Sequence, residues 1–371
     1  MPDIAFLSTY PPTRCGLATF TRELARALAA SGGRHAVIRV RDAGAAGDGP
    51  PDPAVACDLV AGDGASRLRA IAVINEFDVV IVQHEYGIYG GPDGDEVLAI
   101  LAGIEVPSIV VLHTVLESPT VGQRAVLERI GELATLLVVM SDSARETLRE
   151  RYDVPAAKVT VIPHGVPERM PSRRRNTPGH RVLTWGLLGP GKGIEHGIEA
   201  VARLADLVPP VEYLVVGATH PKVLAREGEA YRHRLQRRAR DLGVERSVHF
   251  LDRYLDAARL ADLVGSADVV LLPYDSEQQS TSGVLVEALS AGRPVVATRF
   301  PHATELLSDG AGIVVDHDPD AIAWALRTIL EHPDVAQQMS IRASLVGREM
   351  GWSAVAGAYR RLAESLVAVS S

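Results

Sequence analysis

The run Gly186–Gly193 (GLLGPGKG) sets glycines and a lysine at the head of an amphipathic segment. Glycine lets a backbone come close to a ligand. A helix start offers unpaired N–H groups and the positive end of a dipole. Lys192 adds a full charge, so the run suits a diphosphate; a tight turn with a solvated lysine has the same composition. The spacing is close to a P-loop, with Gly186, four residues, then Gly191 and Lys192. The next residue should be Ser or Thr to hold magnesium, and it is Gly193, which argues against an ATPase. In Gln278–Leu289 (QQSTSGVLVEAL), Ser280–Gly283 precede an apolar run and mark a second helix start. Glu287 follows about one turn later. Beside a cleft its carboxylate could accept two hydrogen bonds from a vicinal diol such as a ribose. Tyr10–Phe20 (YPPTRCGLATF) places Arg14 and Gly16 at a third such start, and Cys15 there reads as a small packing residue.

Polar residues also follow short apolar runs. Gln83, His84 and Glu85 follow VVIV, His113 and Thr114 follow IVVL, and His164 and His220 stand in similar places. Carboxyl ends of parallel strands are where working residues collect, although a histidine alone at such a place is more often structural. His84-Glu85 begins like a zinc helix, but its second His would stand at Ile88. Asp93-Gly94-Asp95 and Asp316-His317-Asp318 have the look of metal clamps. Such triplets are common by chance, and Asp95 reads as the start of the next helix. The two cysteines, Cys15 and Cys57, exclude a disulfide framework, and no Cys/His cluster has zinc-ligand spacing, so no metal is expected.

These residues need elements to hold them. Ile4–Ser8, Ala36–Val40, Val79–Gln83, Ser108–Leu112, Leu136–Met140 and Val159–Ile162 read as buried strands, continuous rather than alternating. Phe20, Leu24 and Leu28 share one helix face. Ser143 and Glu146 have capping-box spacing before a helix ending near Arg151. Pro167–His180, with Arg173–Arg175, is polar and aperiodic and reads as a linker. Strands resume at Arg181–Leu187, Glu212–Val216, Val248–Leu251, Val269–Leu272, Pro294–Ala297 and Gly312–Val315. The longest helix between them is expected around Val223–Leu242. Trp352–Val369 reads as a last helix with no strand after it. Strand–helix alternation implies parallel sheets covered on both faces. At about 150 residues per domain, the 371 residues make two units of similar size.

Composition agrees. Apolar residues are 47%, charged 23% and aromatic 5%, so aliphatics fill the cores of an ordinary globular chain. A net charge of −8 disfavours nucleic acid as partner. The N-terminus lacks a secretory signal, and no apolar run reaches the ~18 residues of a membrane span, so the expected location is the cytoplasm.

In their order and spacing, YPPTRCGLATFTREL, IPHGVPE, GLLGPGKGIE, SGVLVEALSAGRPVVAT and GWSAVAGAYRRL resemble the retaining glycosyltransferases of family 4, the group 1 type. The resemblance spans essentially the whole chain. It implies the GT-B fold: α/β, two doubly wound Rossmann-like domains facing a central cleft. Residues 1–166 would bind the acceptor, with helix 352–371 crossing back onto them. Residues 167–180 would link them to a nucleotide-sugar domain at 181–351. The implied reaction moves a hexose of mannose or glucose type from a GDP- or UDP-sugar to a hydroxyl of a sugar, lipid or small-molecule acceptor, with retained configuration. A leaving phosphate oxygen would take the acceptor's proton, without metal or other cofactor. A lipid acceptor would bring the protein to a membrane surface.

Carried over by position, the resemblance makes His113, Lys192 and Glu287 catalytic. Gly16 would meet the diphosphate, with Arg14 beside it, and Gly191 and Lys192 would bind it. Leu251 and Tyr254 would contact the base, and Glu287 the ribose. Gln279 stands where the family's E-x7-E signature has its first Glu, with Glu277 two residues early. Ser282, Gly283 and Val284 would offer amides to phosphate or sugar. His84, Glu85 and His113 would line the acceptor and sugar region. The family's usual Arg five residues before the Lys falls on Leu187, and Arg14, Arg299 or His220 would have to replace it. Three other readings share these motifs: a P-loop hydrolase, a GT-B nucleotide-sugar epimerase, and a non-catalytic sugar-nucleotide-binding partner.

Overall fold

The computed structural model describes residues 1–13, 15–44, 52–167, 180–253, 255–275 and 281–370. Continuous aliphatic runs become strands covered on both faces. In the first half they are β1 (Ile4–Ser8), β2 (His35–Arg41), β3 (Val55–Val60), β4 (Val79–His84), β5 (Ser108–Leu112), β6 (Leu136–Val139) and β7 (Val159–Val161). They lie parallel in the order β3-β2-β1-β4-β5-β6-β7. The helices between them are α1 (Gly16–Ala29), α2 (Gly64–Ile74), α3 (Glu96–Gly103), α4 (Val121–Leu133) and α5 (Asp142–Arg151).

The second half repeats the scheme with β8 (His180–Trp185), β9 (Val211–Val216), β10 (Val248–Leu251), β11 (Val269–Leu272), β12 (Val295–Thr298) and β13 (Gly312–Val315). Their order is β10-β9-β8-β11-β12-β13, again parallel. The helices are α6 (Ile194–Ala202), α7 (Pro221–Glu227), α8 (Ala230–Asp241), α9 (Ala257–Gly265), α10 (Gly283–Ser290), α11 (Pro301–Leu307), α12 (Pro319–Glu331) and α13 (Pro333–Glu349), followed by α14 (Trp352–Ser370). Each half is thus a doubly wound, Rossmann-like α/β unit. One compact unit is Met1–Gly165 with the chain from Trp352 onward; the other is Val166–Gly351.

Side chains alternate across a strand, and this divides each core. In β4, Val80 and Val82 pack with Ile74, Ile100 and Ile130. Val79 and Ile81 pack on the other face with Phe20 and Leu24 of α1 and Tyr359 of α14. The last helix therefore completes the first unit's core with Val355, Ala356 and Ala363.

Several boundaries differ from the sequence reading. β3 was not expected; it is an edge strand, mostly half-buried, and carries Asp58. Arg39 and Arg41 of β2 satisfy that carboxylate at 2.7 and 3.0 Å, so a charge sits in a strand. Ser141, not Ser143, caps α5, accepting from Ala144 N at 3.1 Å. The helix expected over Val223–Leu242 is two, because Gly228 takes φ +59° between α7 and α8. The longest helix of the second unit is α13 instead. His180 opens β8 rather than closing the linker, and residues 168–179, with Arg173–Arg175, lie outside the described residues.

The Trp352 ring rests on Gly165 so closely that a Cβ there would stand 2.2 Å from Trp352 Cε3. Gly165→Ala should therefore cost about 1–3 kcal/mol of the first unit's stability. Urea unfolding measures it, and an unchanged midpoint would contradict this packing.

Candidate functional site

In the second unit the chain runs outward from β8 through β9 to β10, then returns to the other side of β8 as β11. The carboxyl ends of β8 and β11 flank this reversal, where doubly wound sheets bind ligands. The loop after β8 is the glycine-lysine run. Gly186, Gly191 and Gly193 all have positive φ, at +127°, +87° and +57°. Leu188 N donates to Ala218 O at 2.9 Å, and Asp275 N donates to Gly191 O at 3.1 Å, so the loop is sewn to the ends of β9 and β11. Lys192 Nζ lies 4.3 Å from the centroid of the Tyr274 ring. Among the described residues no carboxylate comes within ion-pair distance of it.

The start of α10 faces the same end of the sheet. Ser282 Oγ caps it through Leu285 N at 3.3 Å, and Ser282 N donates to the buried His302 Nδ1 at 2.9 Å. The Ser282 amide is thus spent inside the protein, and among the described residues the first-turn amides of Gly283 and Val284 have no partner. One turn on, Glu287 Oε2 accepts from Trp185 Nε1 at 3.0 Å. Burial pushes the Glu287 carboxyl above its usual range, and the indole bond opposes this. The Leu251 carbonyl accepts from Gly217 N at 3.0 Å and Arg253 N at 2.9 Å, so its oxygen is also engaged.

Sequence reasoning missed the supports of this site. Trp185 and Tyr274 are among them, both nearly fully buried. Arg232 is another: buried in α8, it reaches Gly217 O at 2.8 Å, Asp252 Oδ1 at 2.8 Å and Glu229 Oε2 at 3.1 Å. It ties the ends of β9 and β10 together. Its only sequence signal is its place on the apolar face of a helix, beside Tyr231 and Leu235.

In the first unit Gly16 opens α1, and a Cβ there would meet nothing within 4 Å. Cys15 is the cap, its Sγ accepting from Ala18 N at 3.4 Å. At the ends of β4 and β5, His113 Nε2 bonds Gln83 Oε1 at 2.7 Å; an amide oxygen can only accept, so the ring nitrogen donates. The Phe20 ring stands edge-on to His113 at 5.0 Å, and at similar distances from His164 and Trp352. Burial, with His164 and His84 nearby, pushes His113 down to about 3. Burial likewise holds His164 at about 4.

His84 does not join this group. It shares the parity of Val80 and Val82, so it points to the opposite face, fully buried against Tyr86. Neither ring nitrogen has a partner among the described residues. Grouping it with His113 overlooked strand alternation. Glu85 accepts from Tyr86 N and Thr114 Oγ1, which ties it to its own loop and to the end of β5. Arg14, Tyr254, Gln279 and Glu277 lie outside the described residues.

Residues 15–169 match the family model described as Glycosyltransferase Family 4, and residues 167–345 match that of Glycosyl transferases group 1. The chain belongs to this glycosyltransferase family. Its curated relatives include the D-inositol 3-phosphate glycosyltransferase of Kineococcus radiotolerans, 32% identical over an alignment of 270 residues that covers 65% of this chain and 60% of that protein. Another is the GDP-mannose-dependent alpha-(1-6)-phosphatidylinositol dimannoside mannosyltransferase of Mycobacterium tuberculosis, 32% identical over an alignment of 197 residues that covers 50% of this chain and 48% of that protein. The chain spans about 60% or less of the length of these relatives. In fold it is similar to sucrose-phosphate synthase of Thermosynechococcus elongatus (TM-score 0.80, 20% identity, covering 99% of this chain and 100% of that one). It is also similar to Anabaena HepE in complex with UDP (TM-score 0.77, 18% identity, covering 98% and 100%).

Arg14 aside, which lies outside the described residues, neither of the other stand-ins for the family's missing arginine at Leu187 is free. Arg299 is held by Asp316 at 3.3 Å. His220 caps α7, its Nδ1 accepting from Lys222 N at 3.2 Å, and burial, Lys222 and Lys192 lower its proton affinity. The acidic triplet there is also spoken for: Asp318 caps α12 through Ala321 N. Among the described residues no group of three potential ligands could hold a metal ion, and no helix is long and apolar enough to cross a membrane.

Gly193 decides the P-loop alternative. A Cβ there would lie 1.6 Å from Pro273 O, at a φ of +57° that disfavours side chains. Gly193→Ser would complete the P-loop sequence, yet it should destabilise the second unit by more than ~2 kcal/mol and bring no magnesium-dependent ATP hydrolysis. A stable, hydrolysing variant would overturn this geometry.

Burial of neutral histidine also sets a pH dependence. His84 takes its proton near 6.5 unfolded but only at about 4 in the fold. Between these values the unfolded state binds more protons, so stability falls as pH drops through that window. For His84 alone the full effect is about 3 kcal/mol. Unfolding of wild type and His84→Phe at several pH values checks it: wild type should lose more stability toward pH ~4.5, and equal slopes would refute the assignment.

Proposed function

We propose that the protein transfers a hexose, of mannose or glucose type, from a nucleoside-diphosphate sugar to an acceptor hydroxyl with retention of configuration. The observation that carries this is Lys192, placed at the β8–β11 reversal without a carboxylate partner among the described residues. A cation without a carboxylate partner among the described residues, at the same end of the sheet as the first-turn amides of Gly283 and Val284, suits a diphosphate. Lys192 would meet the charge that develops on the leaving diphosphate, and Glu287 would hold the ribose hydroxyls. A leaving phosphate oxygen would accept the proton of the attacking hydroxyl. No metal is needed in this scheme. His113, neutral and oriented by Gln83, would contact the sugar near the reacting carbon. GDP is supported as donor nucleotide by the name of the mycobacterial relative, and UDP by that of the more distant Anabaena protein. Inositol phosphate and phosphatidylinositol mannoside, named for the relatives, make a polyol or glycolipid the first acceptors to try.

Thermal unfolding with GDP, UDP, ADP and ATP, each with magnesium or EDTA, tests the donor site. At 100 times its dissociation constant a ligand stabilises by about 2.7 kcal/mol. A metal-independent shift with GDP or UDP is expected; a shift with ATP and magnesium alone would reject the reading. Transfer of the matching sugar to an acceptor then separates a transferase from an epimerase or a non-catalytic partner, and NMR of the product reads its configuration. Lys192→Ala and Glu287→Ala should each lower transfer efficiency about ten- to a hundredfold, while His113→Ala should lose turnover more than nucleotide affinity. Near-normal turnover in the first two variants would remove this site.

A further inference from the structure

Lys192 carries its ammonium on a four-carbon stem that samples many rotamers, and an opposite charge, Asp275, follows the strand end beside it. The two charges are not within ion-pair distance of each other. Asp275 Oδ1 is engaged by His196 Nε2 at 3.0 Å, and its backbone N by Gly191 O. Lys192 Nζ instead lies 4.3 Å over the Tyr274 ring. That ring is 1% exposed and stacked on Phe300 at 5.4 Å and 28°. Thr298 Oγ1 donates to Tyr274 O at 2.6 Å and pins the backbone. The ring is therefore dry and immobile, and its negative face attracts a cation. Its hydroxyl has no partner among the described residues, so what Tyr274 offers at this point is its ring rather than its oxygen. With Leu187 in place of an arginine, the placing of Lys192 matters more.

We propose that Tyr274 is a positioning residue for donor binding: its ring face holds the Lys192 ammonium ready for the diphosphate and away from Asp275. This rests on the reading of Lys192 as the diphosphate's charge partner. It predicts that the ring's electron density, not the hydroxyl, controls nucleotide affinity. Y274F should bind nucleotide as wild type does. Replacing residue 274 with phenylalanines of increasing fluorination keeps size and packing while weakening the negative face stepwise.

Dissociation constants for GDP and UDP are measured by calorimetry across this series, with Lys192 present and in a K192A background. With Lys192 present the constant should rise stepwise, by about two- to thirtyfold over the series. In K192A it should be flat. A flat series in both backgrounds overturns the proposal. So does tighter binding on fluorination, which would mean that the ring parks the ammonium away from the ligand. If wild type binds neither nucleotide, the donor-site reading has failed, and the wild-type titration shows that before any variant is made.

Discussion

At Gly193 the chain passes so close to the Pro273 carbonyl that no side chain fits between them. This single approach joins the loop after β8 to the loop after β11. The Asp275 amide bond to Gly191 O then closes the join. The placing of Lys192 follows from that contact. Lys192, one residue earlier, is delivered onto Tyr274, and α6 begins at once with its amides turned toward the same strand ends. The departure from a P-loop is thus a steric requirement. A serine at 193 would be incompatible with the join that positions the lysine.

The first unit is governed by a different constraint, the desolvation of imidazole. Among the described residues three histidines stand near the carboxyl ends of its strands, and burial keeps all three neutral. Neutral imidazole presents one donor and one acceptor. At His113 the donor is committed to Gln83, so the other nitrogen is an acceptor. At His84 burial is complete and no protein partner is present among the described residues. The same residue type at the same kind of strand end therefore has two roles, separated by which face of the sheet it occupies.

Much of the fold was legible along the chain. Fully buried parallel strands need unbroken aliphatic runs, and β1, β4, β5 and β11 announce themselves that way. β3 did not, because an edge strand is half wet and can carry a charge such as Asp58. The break between α7 and α8 was missed because Gly228 sits inside an otherwise helical pattern, and only its positive φ ends the helix. The capping of α5 by Ser141 rather than Ser143 turned on two residues of register, which helix periodicity does not resolve.

Read alone, the chain disclosed most of the elements, the two-unit plan, the family, and the residue types that could meet a diphosphate: glycines, Lys192, Ser282 to Val284 and Glu287. These are local properties, written in composition and in the spacing of neighbours. Tertiary structure alone decided which of those groups are free. It gave the Ser282 amide to His302, Arg299 to Asp316 and His220 to a helix cap, and left Lys192 to Tyr274. It also turned His84 into the core. The physical reason is that a hydrogen bond or a charge is satisfied by whatever the fold brings within reach, and Trp185 and Glu287 lie 102 residues apart in the chain but 3.0 Å apart in space.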